Sequence, residues 1–343
     1  MIAGNTTLRF PGYFVEIFES LVRASGGDSS EVRRGSELPE LSSTKTLTAA
    51  QFAKMLSLGV KFMNNREPYS LQLLRHIPLT AHGMISIAAM TSETLGAAMD
   101  VALRYFPLIL PTHELHKITV GNNVKVHIQR LHSLGRPYDE LLTEIVPSDL
   151  FQMIKFAGKH GVEAGDLNLG KAIYFSHSSD FGPDAYEHHF NAQVTFNSPE
   201  SYFVVPRNML TMPLFTCNRS THELAVFTLD RQLAEFAQKQ PLSRQVRRFI
   251  NIAMLNGQVP NAAMIADALA MSQRTLTRHL VVEGSSFGTL LESVRVEKAE
   301  GMLLRSNRPL AYIAAQLGYS DLSSFSRAFK RVKGLAPSKF RKE

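Results

Sequence analysis

Apolar residues recur at helical spacing in several stretches of the chain. From Thr48 to Phe62 (TAAQFAKMLSLGVKF), Phe52, Met55, Leu56, Gly59 and Val60 share one side, which predicts an amphipathic helix. Ser92–Phe106 predicts a second, with Leu95, Met99, Ala102, Leu103 and Phe106 on one face, and Leu141–Ala157 a third. Strand patterns lie among them. Tyr69–Pro78 alternates apolar and polar residues in part, and Ile118–Val120 and Val124–Ile128 flank Gly121-Asn122-Asn123, a hairpin signature. Leu167–Ser176 and Ser201–Val205 predict further strands, while residues 25–48, rich in Ser, Gly and charge, predict loops. The first 215 or so residues therefore read as a mixed α/β domain large enough for its own core.

From His222 onward the strand signal stops. Val226, Leu229, Leu233 and Phe236 predict a helix ending near Gln240-Pro241, followed only by helices and short turns. In Pro260–Gly284, Asn261 caps a helix that turns Ile265, Ala266 and Leu269 inward. Met271 occupies a turn, and Ser272 caps a second helix burying Leu276 and Leu280. Pro309–Gly334 repeats the arrangement: Ile313, Ala314 and Leu317 face inward, Gly318-Tyr319-Ser320 form a turn, and Ser320 or Asp321 caps a helix burying Phe325 and Phe329. Leu276 and Phe325 are 49 residues apart. Between the units Ser286–Ser306 predicts a long amphipathic helix with Phe287, Leu290, Leu291, Val294, Met302 and Leu303 on one face. Some 20 helical residues span roughly 30 Å, close to the roughly 34 Å between successive major grooves on one face of DNA.

Charge separates the two parts. Of 343 residues, 1–240 hold 21 basic and 23 acidic residues, net −2, while 241–343 hold 16 and 7, net +9. A near-neutral part joined to a basic one suits a partner that is nucleic acid or an anionic membrane. Hydrophobic content of 44% with 20% charged residues fits a globular chain. No apolar run reaches membrane-spanning length, and the start MIAGNTTLRFPGYF has no signal-peptide pattern. A lone Cys217 suits a reducing compartment, so the expected location is the cytoplasm.

The outward positions of the two second helices carry the chemistry. Gln273, Arg274, Thr275, Thr277 and Arg278 on one, and Leu322, Ser323, Ser324, Ser326, Arg327 and Lys330 on the other, offer guanidinium forks, an amide and hydroxyls to base edges and phosphates. One such unit alone is also what an ordinary helical hairpin looks like; two in tandem with matching caps and basic outer faces favour double-stranded DNA. Arg331, Lys333, Lys339, Arg341 and Lys342 continue the basic surface.

Residues 241–343 resemble the DNA-binding domain of the AraC/XylS family of bacterial transcription regulators. The match lies in IAAQLGYSDLSSFSRAFKRVKGLAPSKFR, supported by IADALAMSQRTLTRHLVVEGSSFGTLLESVRVEKAEGMLL. The resemblance implies two helix-turn-helix motifs joined by a long linker helix, with recognition helices at 272–283 and 320–332. It puts base contacts at Arg274, Thr277, Arg278, Leu322, Ser323, Ser326 and Arg327. Leu322 departs from the polar residue often found there; it can touch a thymine methyl but reads no donor or acceptor. HGMISIAAMTSETLGAAMDVALRYFPLI and IYFSHSSDFGPDAYEHHFNAQVTFNSPESYFVVPRNML resemble the "arabinose-binding" N-terminal domain of one AraC subgroup. That likeness implies a sensor domain, usually for a small molecule. The expected domains are 1–215 for effector binding, 216–240 as a connecting helix that serves as a dimer or interdomain seam or packs only on its own domain, and 241–343 for DNA. The expected partners are promoter DNA, a small-molecule effector, RNA polymerase and a second copy of the chain, with no membrane and no cofactor.

Enzyme-like signals are weak. His113-Glu114-Leu115-His116 lacks the i, i+4 histidine pair of zinc proteases, since the fifth position is Lys117. His188 and His189 are adjacent and would diverge by about 100° on a helix, and Cys217 beside Arg219 reads more simply as an inert thiol. No nucleophile elbow, phosphate-cradling glycine loop or paired-carboxylate motif is present, so neither catalysis nor a metal is expected. For a ligand, Phe10, Tyr13 and Phe14 offer aromatic surface and Arg75, His76 and His82 polar groups, although most of these also suit a core. Two other readings stay open: a ligand-processing enzyme fused to a DNA-binding tail, and a constitutive regulator that takes no effector.

Overall fold

A computed structural model describes residues 8–39, 45–158, 172–238, 241–305 and 308–341. The chain divides into two compact units, the larger running to Ala237 apart from Asn197–Pro199, and the smaller taking those three residues and Gln238 onward.

The larger unit opens with β1 (Arg9–Pro11), α1 (Phe14–Ala24), α2 (Ser30–Gly35), β2 (Thr46–Thr48) and α3 (Ala49–Lys61). α1 buries Phe14, Ile17, Phe18, Leu21 and Val22, the stripe that 3.6-residue periodicity dictates. α3 starts at a capping box in which Thr48 and Gln51 satisfy each other's backbone N–H groups. Gly59 of α3 leaves room for the Phe18 ring, whose nearest atom would lie 2.2 Å from an added Cβ. α4 (Tyr69–Leu74), α5 (Met84–Met90) and α6 (Leu95–Ile109) follow. α4 corrects the strand expected over Tyr69–Pro78. Ser70, Leu71, Gln72, Leu73 and Leu74 are all buried, so no solvent face marks a helical period. Its buried polar groups are satisfied individually: Ser70 donates to Glu144 at 2.6 Å, and the Gln72 amide donates to the carbonyls of Asn64 and Glu67.

β3 (His113–Val120) and β4 (Asn123–Arg130) form the expected hairpin, pairing Val120 with Asn123 across Gly121-Asn122. α7 (Tyr138–Gly158), β5 (Ala172–Tyr174), α8 (Asp184–Phe190), β6 (Gln193–Thr195) and β7 (Ser201–Pro206) complete a sheet of order β3-β4-β7-β5-β6. It is antiparallel except for the β5–β6 pair. Residues 167–171 of the strand expected at Leu167–Ser176 lie outside the described residues, and β5 supplies the rest. On one sheet face Val124 pairs with Val205 and Val126 with Phe203, which also pairs with Ile173; all are buried. α6 contacts β3 and α7 contacts β4. α9 (Arg219–Gln238) ends this unit, burying Ala225 and Leu229 in the same core.

The smaller unit is all helical: α10 (Leu242–Leu255), α11 (Ala262–Ala268), α12 (Gln273–Val282), α13 (Phe287–Arg305), α14 (Leu310–Gln316), α15 (Leu322–Lys333) and α16 (Pro337–Phe340). It holds two small cores. Val246, Ile250, Ile265, Leu276, Leu280 and Val294 form the first; Val296, Leu303, Ile313, Leu317, Phe325 and Phe329 form the second. Nineteen-residue α13, about 28 Å long by its rise, contributes to both, through Val294 to one and Val296 to the other. Among the described residues no helix is long and apolar enough to cross a membrane.

Candidate nucleic-acid interface

α12 and α15 are each fixed at their N-terminus by a side chain. Asn261 accepts from Met264 N–H at the start of α11 and Ser272 from Thr275 N–H at 3.1 Å at the start of α12; caps of this kind contribute about 1 kcal/mol each. Of the two residues considered for α15, Asp321 is the cap. It accepts from Ser324 N–H at 2.7 Å, while Ser320 Oγ donates to its other oxygen at 3.0 Å. The hydrogen bond from Ser324 N–H is the main cause that holds the Asp321 carboxyl below its ordinary pKa. Leu276 and Leu280 pin α12 to the first core, and Phe325, Ala328 and Phe329 pin α15 to the second.

The turns before these helices differ by one residue. Met271 N–H bonds Ala266 O and Tyr319 N–H bonds Ala314 O, both at 3.0 Å, so both preceding helices close alike. Ala270, Met271 and Ser272 then lead into α12, whereas Gly318, Tyr319, Ser320 and Asp321 lead into α15. Arg295 of α13 lies with its guanidinium 5.0 Å from the Tyr319 ring centre, which ties the longer turn to the long helix.

On α12, Gln273, Arg274, Thr277 and Arg278 are exposed and Thr275 is half-buried. The Thr275 hydroxyl is paired with Ser272 Oγ at 2.9 Å, and Thr277 Oγ1 donates to Gln273 O, also at 2.9 Å. The Thr277 proton is thus engaged within the helix, while either hydroxyl of the Ser272–Thr275 pair can be the donor. His279 and Val281 are exposed on the same helix and were not among the expected residues. On α15, Leu322, Ser323, Arg327 and Lys330 are exposed and Ser326 is half-buried; Leu322 is 40% exposed. Arg327 Nη2 donates to Ser324 Oγ at 3.2 Å.

Charge pairing sorts the basic residues. Arg331 makes a two-pronged contact with Glu292 of α13, at 2.8 and 2.5 Å, and Lys333 pairs with Glu300. Arg247 pairs with Glu297, and Arg341 donates to Arg308 O at 2.7 Å. Among the described residues Arg274, Arg278, Arg327 and Lys330 make no ion pair. Glu283 is used inside the unit, capping α10 through Leu242 and Ser243 N–H at 2.6 and 2.8 Å. Burial pushes the Glu283 pKa up, but the bonds from Ser243 and Leu242 outweigh it and hold it below the ordinary value.

The residues considered for a ligand fall in three places. Phe10 and Phe14 are buried core, packed on Phe52 with ring centres 3.9 and 5.0 Å away. Arg75 pairs with Glu67 at the surface, and His76 Nδ1 bonds Ser20 Oγ at 3.1 Å. Tyr13 and His82 are bonded to each other, Oη to Nδ1 at 2.7 Å, and His82 lines a cleft together with Asp149. Asp149 was not anticipated, although a single carboxylate in the run Ile145-Val146-Pro147-Ser148-Asp149-Leu150-Phe151 is a legible signal. His113 and His116 sit on β3, and among the described residues no three His, Cys, Asp or Glu side chains are grouped to hold a metal.

Residues 26–214 match the family model described as the arabinose-binding domain of AraC transcription regulator, N-terminal, and residues 265–343 match a helix-turn-helix domain. The ornithine utilization regulator of Pseudomonas aeruginosa is 26% identical over 271 residues, 79% of this chain and 77% of that one. The HTH-type transcriptional regulator VirS of Mycobacterium tuberculosis is 25% identical over 329 residues, 94% of each chain. The crystal structure of the transcriptional regulator CdpR from Pseudomonas aeruginosa aligns with 96% of this chain and 98% of its own at 19% identity, with a TM-score of 0.46.

Proposed function

The chain belongs to the AraC family of transcription regulators, in the subgroup with an arabinose-binding-type N-terminal domain, and from that premise we propose that α12 and α15 are the two recognition helices of a sequence-specific DNA reader whose larger unit senses a small molecule. In this reading α11–α12 and α14–α15 are two helix-turn-helix motifs and α13 is the linker that sets their spacing. Base edges are read by Gln273, Arg274 and Arg278 on the first helix, and by Leu322, Ser323, Ser326 and Arg327 on the second. Thr277, whose hydroxyl proton is engaged within α12, contributes as an acceptor or through its methyl group, and Thr275 contributes through its hydroxyl or methyl group. Lys330 neutralises phosphate.

The observation that carries the proposal is the sorting of charge. Among the described residues Arg274, Arg278, Arg327 and Lys330 make no ion pair on their capped helices, while Arg331 and Lys333 of the same α15 are held by carboxylates of α13. An effector acts by binding two states of the protein with different affinity. α9 suits a seam between two copies, because Leu224 and Phe227 are each 64% exposed on its outer side. A dimer of this kind, presented to RNA polymerase at a promoter, is the working unit of the proposal.

The test is quantitative footprinting on duplexes selected by the protein from a random pool. Arg278→Ala and Arg327→Ala should each weaken specific binding by about 1–3 kcal/mol and relax preference at one or two base positions. Lys330→Ala should weaken all sequences alike and flatten the salt dependence. Arg331→Ala should change neither the preferred sequence nor the salt slope. Unchanged specificity in both Arg278→Ala and Arg327→Ala would overturn the assignment.

A further inference from the structure

The larger unit contains a cleft bounded by Ile85 and Ala89 of α5, Met99 and Phe106 of α6, Val146 of α7 and Phe203 of β7. Its cavity volume is about 60 Å³.

The polar groups of the lining are His82, Ser86 and Asp149. His82 Nε2 faces Asp149 Oδ2, and a carboxylate only accepts, so Nε2 carries the proton. In the neutral ring Nδ1 then accepts from Tyr13 Oη at 2.7 Å. Burial, and then the Asp149 charge, raise the Tyr13 pKa well above its ordinary value, which keeps the phenol proton available for that bond. The Tyr13–His82 pair therefore fixes Asp149 through one oxygen and leaves the other, Oδ1, without a partner among the described residues. Ser86 is 5% exposed, lines the cleft, and its hydroxyl likewise has no hydrogen-bond partner among them. Two polar groups without a protein partner among the described residues, on a partly exposed Asp149 and a buried Ser86, thus belong to a lining that is otherwise mostly hydrocarbon.

We infer that this cleft binds a small apolar molecule carrying one ammonium or hydroxyl group, received by Asp149 Oδ1 and Ser86, with its hydrocarbon part among Met99, Phe106 and Phe203. The inference rests on the reading of the larger unit as a sensor and names the chemistry of what it senses. Two other ligand classes fit badly. A carboxylate-bearing chain would set like charge against Asp149. A sugar such as arabinose, named in the description of the family model, would bury several hydroxyls against a wall that offers partners for only one or two.

Titration calorimetry of the full chain at neutral pH with n-hexylamine, 1-hexanol, hexanoate and L-arabinose tests this. Hexylamine and hexanol should bind saturably, and hexanoate and arabinose at least tenfold more weakly than hexylamine. Asp149→Asn keeps an acceptor for His82 and should weaken hexylamine at least tenfold while changing hexanol less than threefold. Ala102→Phe, which fills the cleft from α6, should abolish both. Tight binding of hexanoate or arabinose, hexylamine binding indifferent to both variants, or no binding of any probe below 10 mM would overturn the inference. The sensor reading is scored separately, by affinity for duplexes selected from a random pool. Asp149-dependent hexylamine binding that leaves DNA affinity unchanged defeats the sensor reading and keeps the cleft. A small molecule that shifts DNA affinity equally in the parent chain and in Ala102→Phe keeps the sensor reading and defeats the cleft.

Discussion

Ala270 and Gly318 each lie two residues past the end of a short helix, just after its C-cap, and each carry positive φ, +53° and +75°. Glycine takes that conformation freely, whereas a Cβ there costs about 1–2 kcal/mol. Ala270→Gly should therefore stabilise the helical unit by roughly 0.5–1 kcal/mol, the relief being partly offset by glycine's greater entropy when unfolded. Gly318→Ala should destabilise it by about 1–3 kcal/mol. An added Cβ would lie 2.7 Å from Val259 Cγ2, but that side chain is exposed and can yield, so the backbone term leads. Urea unfolding followed by circular dichroism checks both signs. His113 is the second residue whose environment sets a measurable quantity. Thr143 Oγ1 donates to Asp139 O at 2.7 Å and so accepts from His113 Nε2 at 3.1 Å, while Thr112 Oγ1 serves Nδ1 at 3.0 Å. Complete burial, then the charges of Arg130 and His132, push its pKa down to about 3 from 6.5. Between those values the unfolded chain binds a proton that the folded one refuses. The neutral-ring stability is thus complete above pH 6.5 and is lost as pH falls toward 3, by up to about 1.4 kcal/mol per pH unit. His113→Gln should flatten the fall of unfolding free energy between pH 6.5 and 4; an unchanged slope would count against this account.

Several elements with one wet face were legible, and α4, which has none, was not. α3, α6, β4 and α15 each alternate between core and solvent, and their periods can be read directly from the residues. α4 could not be read, because its polar residues Ser70 and Gln72 are buried against partners 74 and 8 residues away in sequence, and their spacing imitates a strand. α13 was read as a helix with a single apolar stripe through Val294, Met302 and Leu303, which missed Val296. That residue is buried because the helix serves two cores in succession and its inward face rotates between them. In the candidate DNA surface, the exposure of Arg274, Arg278 and Arg327 follows from local helical period. The capture of Arg331 by Glu292, 39 residues away, does not. The same limit hid Asp149, whose significance depends on His82 and Tyr13 reaching it from distant segments.

At the scale of the whole molecule, 16 of the 37 basic residues lie beyond residue 240, and the family places DNA binding in that unit. The larger unit is left near neutrality, free of the field that would repel a second copy. On α9, Leu224 and Phe227 should become buried if two copies associate there. Leu224→Glu or Phe227→Glu should then move the sedimentation coefficient from dimer to monomer without loss of helical signal, and a parent chain that sediments as a monomer would refute the seam. The residues alone carried the resemblance to the family, and they determined the helical unit and its charge, because capping, helical period and net charge are local or additive properties that survive without coordinates. Only the tertiary structure decided which arginines lack an ion pair among the described residues, which histidine is held neutral and that Asp149 meets His82 in the lining of a cleft. Each of those depends on a partner far away in sequence, and the chain's order does not encode that proximity until it has folded.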